Sequence, residues 1–254
     1  MNYIFSLRAC NTMPLRLYPA VPADANRISE IHMAAFASNA MLLAQFPTPE
    51  VRVGLRESIR LKALADIDDP KVSVLVVREH PFDPDSPNTT GAEDGSNQCP
   101  GVVREREMEE SAPRGIIAFA KWSHPVSKDV DYEEAAWAWP AGTNMRILNG
   151  WVKAAEEGQE EAVGDRPCYR LTFMGTDPAH ERRGAASMMV NWGLEQCNKD
   201  GVPGYLESTL EAAPFYEKMG FAASVKISMR YLIEGQDQSE MYEEIAFVYR
   251  PGST

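Results

Sequence analysis

Apolar and polar positions cycle along the chain in blocks, and the blocks predict an α/β protein. Leu15-Arg16-Leu17-Tyr18-Pro19-Ala20 alternates with the period of a strand. Pro22-Ala23-Asp24 then offers a proline for a helical first turn and an acid for its positive end. Ile28, Ile31, His32, Ala35 and Phe36 follow at helical spacing, which makes His32 a packed or rim histidine. A second helix is expected from Pro49 to about Leu64, anchored by Val53, Leu55, Ile59 and Leu61. Two β-branched or apolar runs, 71–78 and 114–122, are strands.

The residues between those strands, 81–113, are rich in Pro, Ser, Asn, Gly and acids, where adjacent antiparallel strands need only a short turn. They are expected to be an inserted loop, mobile at least in part. A second irregular segment, 123–167, carries Trp137, Trp139 and Pro140. Within it a helix is expected from about Asn144 to Gln159, with Ile147, Leu148, Trp151, Val152 and Ala155 on one face. Strand 169–176 precedes a long helix from Arg183 to about Lys199, whose buried stripe is Ala186, Met189, Val190, Gly193 and Cys197. Gly193 there permits a close approach. Strand 204–208, short helix 212–219 and strands 222–232 and 242–250 complete the order. Strands and helices interspersed in this way make an α/β fold with a mixed sheet. The 254 residues suit one domain with these two insertions.

Charge changes the picture only when it is located. The net charge is −12, from 25 Lys and Arg against 37 Asp and Glu. Residues 81–113 hold eight acids and two arginines, and residues 129–165 hold nine acids against Arg146 and Lys153. The insertions therefore carry more than the whole excess, and the remaining core is near neutral. A nucleic-acid partner is not expected, because such proteins present a basic face. No apolar run reaches the roughly 18 residues that span a membrane, so no membrane partner is expected. Cys10, Cys99, Cys168 and Cys197 form no CxxC pair and no Cys/His cluster, so no metal site is expected and the thiols are expected to be reduced. Residues 1–10 lack the pattern of a cleaved signal peptide, and a cytoplasmic location is the expectation.

The informative stretch is Thr176-Asp177-Pro178-Ala179-His180-Glu181-Arg182-Arg183-Gly184-Ala185-Ala186-Ser187, between a strand and a helix. A helix start exposes unpaired N–H groups at the positive end of its dipole. Gly184, Ala185 and Ala186 keep that start unobstructed, and Arg182 and Arg183 add charge, so a pyrophosphate fits there. Farther on stands Ala212-Ala213-Pro214-Phe215-Tyr216-Glu217-Lys218-Met219-Gly220-Phe221. Together the two stretches resemble the GNAT superfamily of acetyl-CoA-dependent N-acetyltransferases, and the chain is similar overall to fungal members. The family loop runs Q/R-x-x-G-x-G/A, and Glu181, Gly184 and Ala186 occupy its positions. Its later helix runs A-x-x-F-Y-x-K-x-G-F, matched by Ala212, Phe215, Tyr216, Lys218, Gly220 and Phe221. Glu181 departs from the pattern: a carboxylate repels phosphate unless it points away, so contacts are expected from backbone N–H groups of 182–187.

The resemblance implies a mostly antiparallel sheet flanked by helices. It implies direct attack of an amine on the acetyl-CoA thioester, with acetyl-CoA as cosubstrate. Met174, Gly175 and Thr176 would hold the pantetheine arm and oxyanion, Phe215 would lie beside the cofactor, and Tyr216 would protonate the departing thiolate. For the general base the residues leave alternatives open. Glu207 and His124 are candidates and Asp177 a lesser one; each is also read as an ordinary paired, loop or turn residue. Phe36, Phe46, Trp122, Trp137, Trp139 and Trp151 are aromatic candidates for an acceptor pocket, with Phe36, Trp122 and Trp139 foremost. The expected partner is a small-molecule amine, for a monomer or homodimer. A protein or peptide acetyltransferase and a non-catalytic acyl-CoA-binding module are the competing classes.

Overall fold

The computed structural model describes residues 13–80, 115–127, 129–233 and 238–252. The insertion 81–113 and the first ten residues lie outside them. Strand β1 (Leu15–Pro19) leads through a 3-10 turn at Pro22–Asp24 into α1 (Ala25–Ala35). Asp24 closes that turn by accepting from the Val21 N–H at 2.9 Å. A short helix follows, α2 (Ala40–Gln45), capped by the Asn39 side chain on Leu42 N–H. Helix α3 (Pro49–Asp68) starts at the Thr48 cap with proline in its first turn.

The anchors of α3 are not all those its apolar residues suggest. Val53 and Leu61 are 73% and 46% exposed. Its buried face is Leu55, Ile59 and Ala63 together with Ser58, Lys62 and Asp66. Two parallel i, i+4 rows face the protein, and the second row is polar because it pairs internally.

Strands β2 (Val72–Glu79), β3 (Ile116–Ser123), β4 (Tyr169–Thr176), β5 (Gly204–Thr209), β6 (Ala222–Tyr231) and β7 (Glu240–Tyr249) join β1 in one seven-stranded sheet, ordered β1-β2-β3-β4-β5-β7-β6. Every pair is antiparallel except β4 with β5. The mixed, mostly antiparallel sheet is therefore present.

One face carries α1 and α3 over β2–β4 and α4 (Met145–Val163) over β5–β7. The segment 123–167 thus supplies a layer of the fold. Gly150 and Gly158 let α4 settle on β6, where a Cβ would meet Met229 and Ile227 at 3.0 and 2.6 Å. The other face carries α5 (Ala185–Asp200) and α6 (Ala213–Lys218). Ala185, Met189, Val190, Gly193 and Cys197 are buried on α5, so Ala185 replaces the expected Ala186. A Cβ at Gly193 would fall 2.1 Å from the Trp122 ring, so that glycine is required by the close approach.

Candidate active site

The site starts from a break in the sheet. Strands β4 and β5 pair only at Tyr169–Gly204, Arg170–Tyr205 and Leu171–Leu206. Beyond that point β4 stays with β3 to Thr176, and β5 stays with β7 to Thr209. A one-residue bulge drives the divergence: Leu171 faces Trp122 and Phe173 faces Lys121, leaving Thr172 extra. Its hydroxyl donates to the Lys121 carbonyl at 3.2 Å. Bulges bend the strand and increase its twist. The wedge so opened leaves one edge of Phe173–Thr176 without a strand partner among the described residues. Met174, Gly175 and Thr176 lie along it.

The same strand ends at Asp177, whose side chain caps a 3-10 turn at Pro178–His180 and pairs with Arg27. The Ala179 N–H and then Arg27 hold its carboxyl below the usual range. Asp177 is thus occupied as a turn builder. The chain then passes through left-handed Arg182 and Gly184, φ 60° and 92°, into α5. Backbone turned this way forms anion-binding concavities. No side chain caps α5, and the first helical bond runs from Met188 to Gly184. The N–H groups of Ala185, Ala186 and Ser187 precede that first bond and have no intrahelical acceptor. A Cβ on Gly184 would meet nothing within 4 Å, so that start faces open space. The residues present fit a pyrophosphate.

The two arginines divide. Arg182 is exposed beside the helix start. Arg183 pairs with Glu79, lies 3.0 Å from His180 Nδ1 and donates to the Met13 carbonyl at 3.1 Å. It ties the loop to β1 and β2 instead of standing free. Glu181 is exposed.

Across the wedge, α6 places Tyr216 at 8% exposure among Phe215, Phe221 and Phe247. Its hydroxyl has no hydrogen-bond partner among the described residues. Burial and the charge of Glu244 push its ionisation well above the usual phenol range, so it holds its proton. Glu207 accepts from Arg170 at 2.9 Å, which makes it one half of an ion pair. His124 lies elsewhere. It follows Ser123, which pairs with Arg170 before the wedge opens. Its Nε2 is 2.8 Å from the Ser73 hydroxyl and its ring packs on Tyr169. Burial and then Lys71 lower its pKa. The geometry takes His124 away from the wedge.

Two residues absent from the sequence reading enter here. Glu244 of β7 is in register with Thr209 at the end of β5. Tyr242 donates to it at 2.6 Å, and the Asn39 amide donates to Tyr242 at 2.8 Å. The only trace in the sequence is the Tyr-x-Glu alternation within the last strand.

The aromatic candidates also divide. Phe36 and Phe173 flank His32, with centroids 4.8 and 5.0 Å away, and Trp137 meets Phe173 edge-on. Trp139 stacks on Trp137 at 4.7 Å and reaches Phe46. These lie near the α1/α2 side of the wedge. Trp151 packs on Tyr242. Trp122 is fully buried against α5, its indole donating to the Met189 carbonyl at 3.2 Å. It belongs to the core and presents no surface to an acceptor. Among the described residues no cluster of metal-binding side chains occurs, and no helix is long and apolar enough to cross a membrane.

The acetyltransferase (GNAT) family pattern matches residues 102–221. A probable acyltransferase, SID5 of Ajellomyces capsulatus, is 37% identical over 99 residues, 37% of this chain and 68% of that protein. Among solved structures, a putative arylalkylamine N-acetyltransferase of the yellow fever mosquito superposes with a TM-score of 0.56 at 12% identity, covering 93% of this chain and 87% of that one. The C-terminal condensation domain of Ebony, in complex with beta-alanyl-dopamine, superposes with a TM-score of 0.57 at 9% identity, over 94% and 99% of the two chains. With the family pattern running through α6 and two thirds of an acyltransferase relative matched, this chain belongs to the GNAT acetyltransferase family and is an acyltransferase.

Proposed function

We propose that the protein transfers the acetyl group of acetyl-CoA to a primary amine of a small molecule by direct attack within a ternary complex. The observation that carries this reading is the wedge between β4 and β5, with an open helix start at one end and the unpartnered Tyr216 hydroxyl across it. The first turn of α5 and Arg182 would take the pyrophosphate. The free edge of β4 would pair with the pantetheine arm. A backbone N–H near Met174 would face the thioester oxygen as charge develops on it. Holding amine and thioester together removes much of the entropic barrier. Tyr216, kept protonated, would supply the proton to the leaving sulfur.

The aromatic side chains Phe36, Phe173 and Trp137 favour a compact acceptor with an apolar body. Two fold relatives, a putative arylalkylamine N-acetyltransferase and a domain holding beta-alanyl-dopamine, lend support to that class. CoA release is measured against a panel of 2-phenylethylamine, hexylamine, free lysine and short peptides with free N-termini. Turnover of the amines over the peptides is expected; peptide turnover alone would replace this reading with protein acetylation. Tyr216→Phe is expected to lower kcat by about a hundredfold or more while acetyl-CoA still raises Tm. Acetyl-CoA binding with no turnover of any acceptor would leave only a binding module.

A further inference from the structure

We propose that Glu244 takes the proton from the acceptor ammonium, with Tyr242 as the residue that positions it. The inference rests on the small-amine reading above. Its geometric basis is a comparison of the two carboxylates on β5 and β7. Glu207 is opposite Ala246, one step back from the mouth of the wedge, and is committed to Arg170. Glu244 is opposite Thr209, where β5 ends and the wedge is open. It is partly exposed, and among the described residues no Lys or Arg pairs with it. Its charge is felt by Tyr216, the acid of the reading above.

Every element packed around Glu244 can be accounted for. Its own strand gives Tyr242, whose hydroxyl donates to the carboxylate. The α1–α2 turn gives Asn39, which fixes Tyr242. Strand β5 gives Glu207, a like charge already matched by Arg170, and α6 gives Tyr216. Strand β6 places Ile227 opposite it, and α4 sends Trp151 onto Tyr242. Burial lifts the Glu244 carboxyl to about 7, with the Tyr242 hydrogen bond opposing and the Glu207 charge adding to the lift. A base whose pKa sits near the working pH both accepts a proton and gives it up readily.

The reaction balances as follows. The Glu244 carboxylate removes one proton from R–NH3+ and later releases it to solvent. The freed lone pair forms the C–N bond to the acetyl carbon, and the C–S bond breaks. Tyr216 gives its proton to the sulfur, and the second proton shed by nitrogen restores the phenol.

The test compares two acceptors, 2-phenylethylamine, which arrives protonated, and O-benzylhydroxylamine, which is already neutral at pH 7. Glu244→Gln is expected to cut kcat/KM for the first by about a hundredfold and to abolish the acidic limb of its pH profile near 7. For the second the loss is expected to stay within a few-fold. Tyr242→Phe removes a bond to the ionised carboxylate, so the limb is expected to move to higher pH. An E244Q variant with the wild-type rate and limb overturns the proposal. So does an equal loss on both acceptors, which marks a structural role. If wild-type protein releases no CoA with either amine, the small-amine reading itself fails and takes this inference with it.

Discussion

His32 shows how a single side chain is set by its surroundings. It is buried between Phe36, Phe119 and Phe173, and burial lowers its pKa to about 4. The folded state therefore holds it neutral, while the unfolded chain takes up a proton below about 6.5. The stability it contributes is present above 6.5 and is lost as pH falls towards 4. The shift corresponds to roughly 3 kcal/mol. In denaturant melts at pH 7, 5.5 and 4, His32→Phe is expected to lose that part of the acid sensitivity, closing the gap to wild type by about this amount. A constant difference at all three values would rule out His32 as the sensor. The histidine was legible as a packed residue from its place on the apolar stripe. Its aromatic neighbours were not, because two of the three come from other elements.

At the scale of elements, the polar row of α3 and the segment after β3 make one unit. Lys62 pairs with Asp66 and with Glu134 at 2.6 Å, and Lys121 pairs with Glu134 and with Asp66 at 3.0 Å. Tyr132 donates to Asp69, and Ser58 to the Ala138 carbonyl. An irregular stretch is thus pinned over a helix, which carries Trp137 to its place beside Phe173. Lys62, Asp66 and Lys121 are almost wholly buried, so removing one partner strands charge in a medium that solvates it poorly. Lys62→Met is expected to cost about 3–5 kcal/mol in chemical denaturation. Adding Glu134→Gln leaves the Asp66–Lys121 pair balanced, so the double variant is expected to recover part of the loss. Strict additivity of the two changes would show that the four groups are not coupled. Hydrophobic spacing located α3 and two of its anchors, Leu55 and Ile59, but misplaced Val53 and Leu61, because half of the inner face is polar and paired.

For the whole molecule, the balance between an acidic chain and an anionic ligand is settled by placement. The described core carries the helix start and Arg182, while much of the acidity lies in 81–113 and along α4. Acetyl-CoA bound to the native state must raise Tm, by an increment that grows with ligand concentration over Kd. Gly184→Val places a branched side chain in the open start of α5 at a left-handed φ. It is expected to lower Tm modestly and to weaken acetyl-CoA by at least about tenfold, erasing most of the ligand-induced rise at fixed concentration. An undiminished rise would take the pyrophosphate away from that turn.

The sequence by itself determined the order of strands and helices apart from the six-residue α2, the turn that opens α5 and the Phe215-Tyr216 helix, because periodicity, glycine placement and short motifs are local properties. It also located Gly193 as a point of close approach, since a small residue on a buried stripe has few other uses. Only the tertiary structure decided which carboxylate is free. Glu207 and Glu244 look alike along the chain, yet Arg170, brought across from β4, claims one and leaves the other to Tyr242. It likewise turned Trp122 into core and Arg183 into a tie to β1 and β2. Partners chosen from distant strands fix a side chain's burial and charge balance, and no local pattern encodes them.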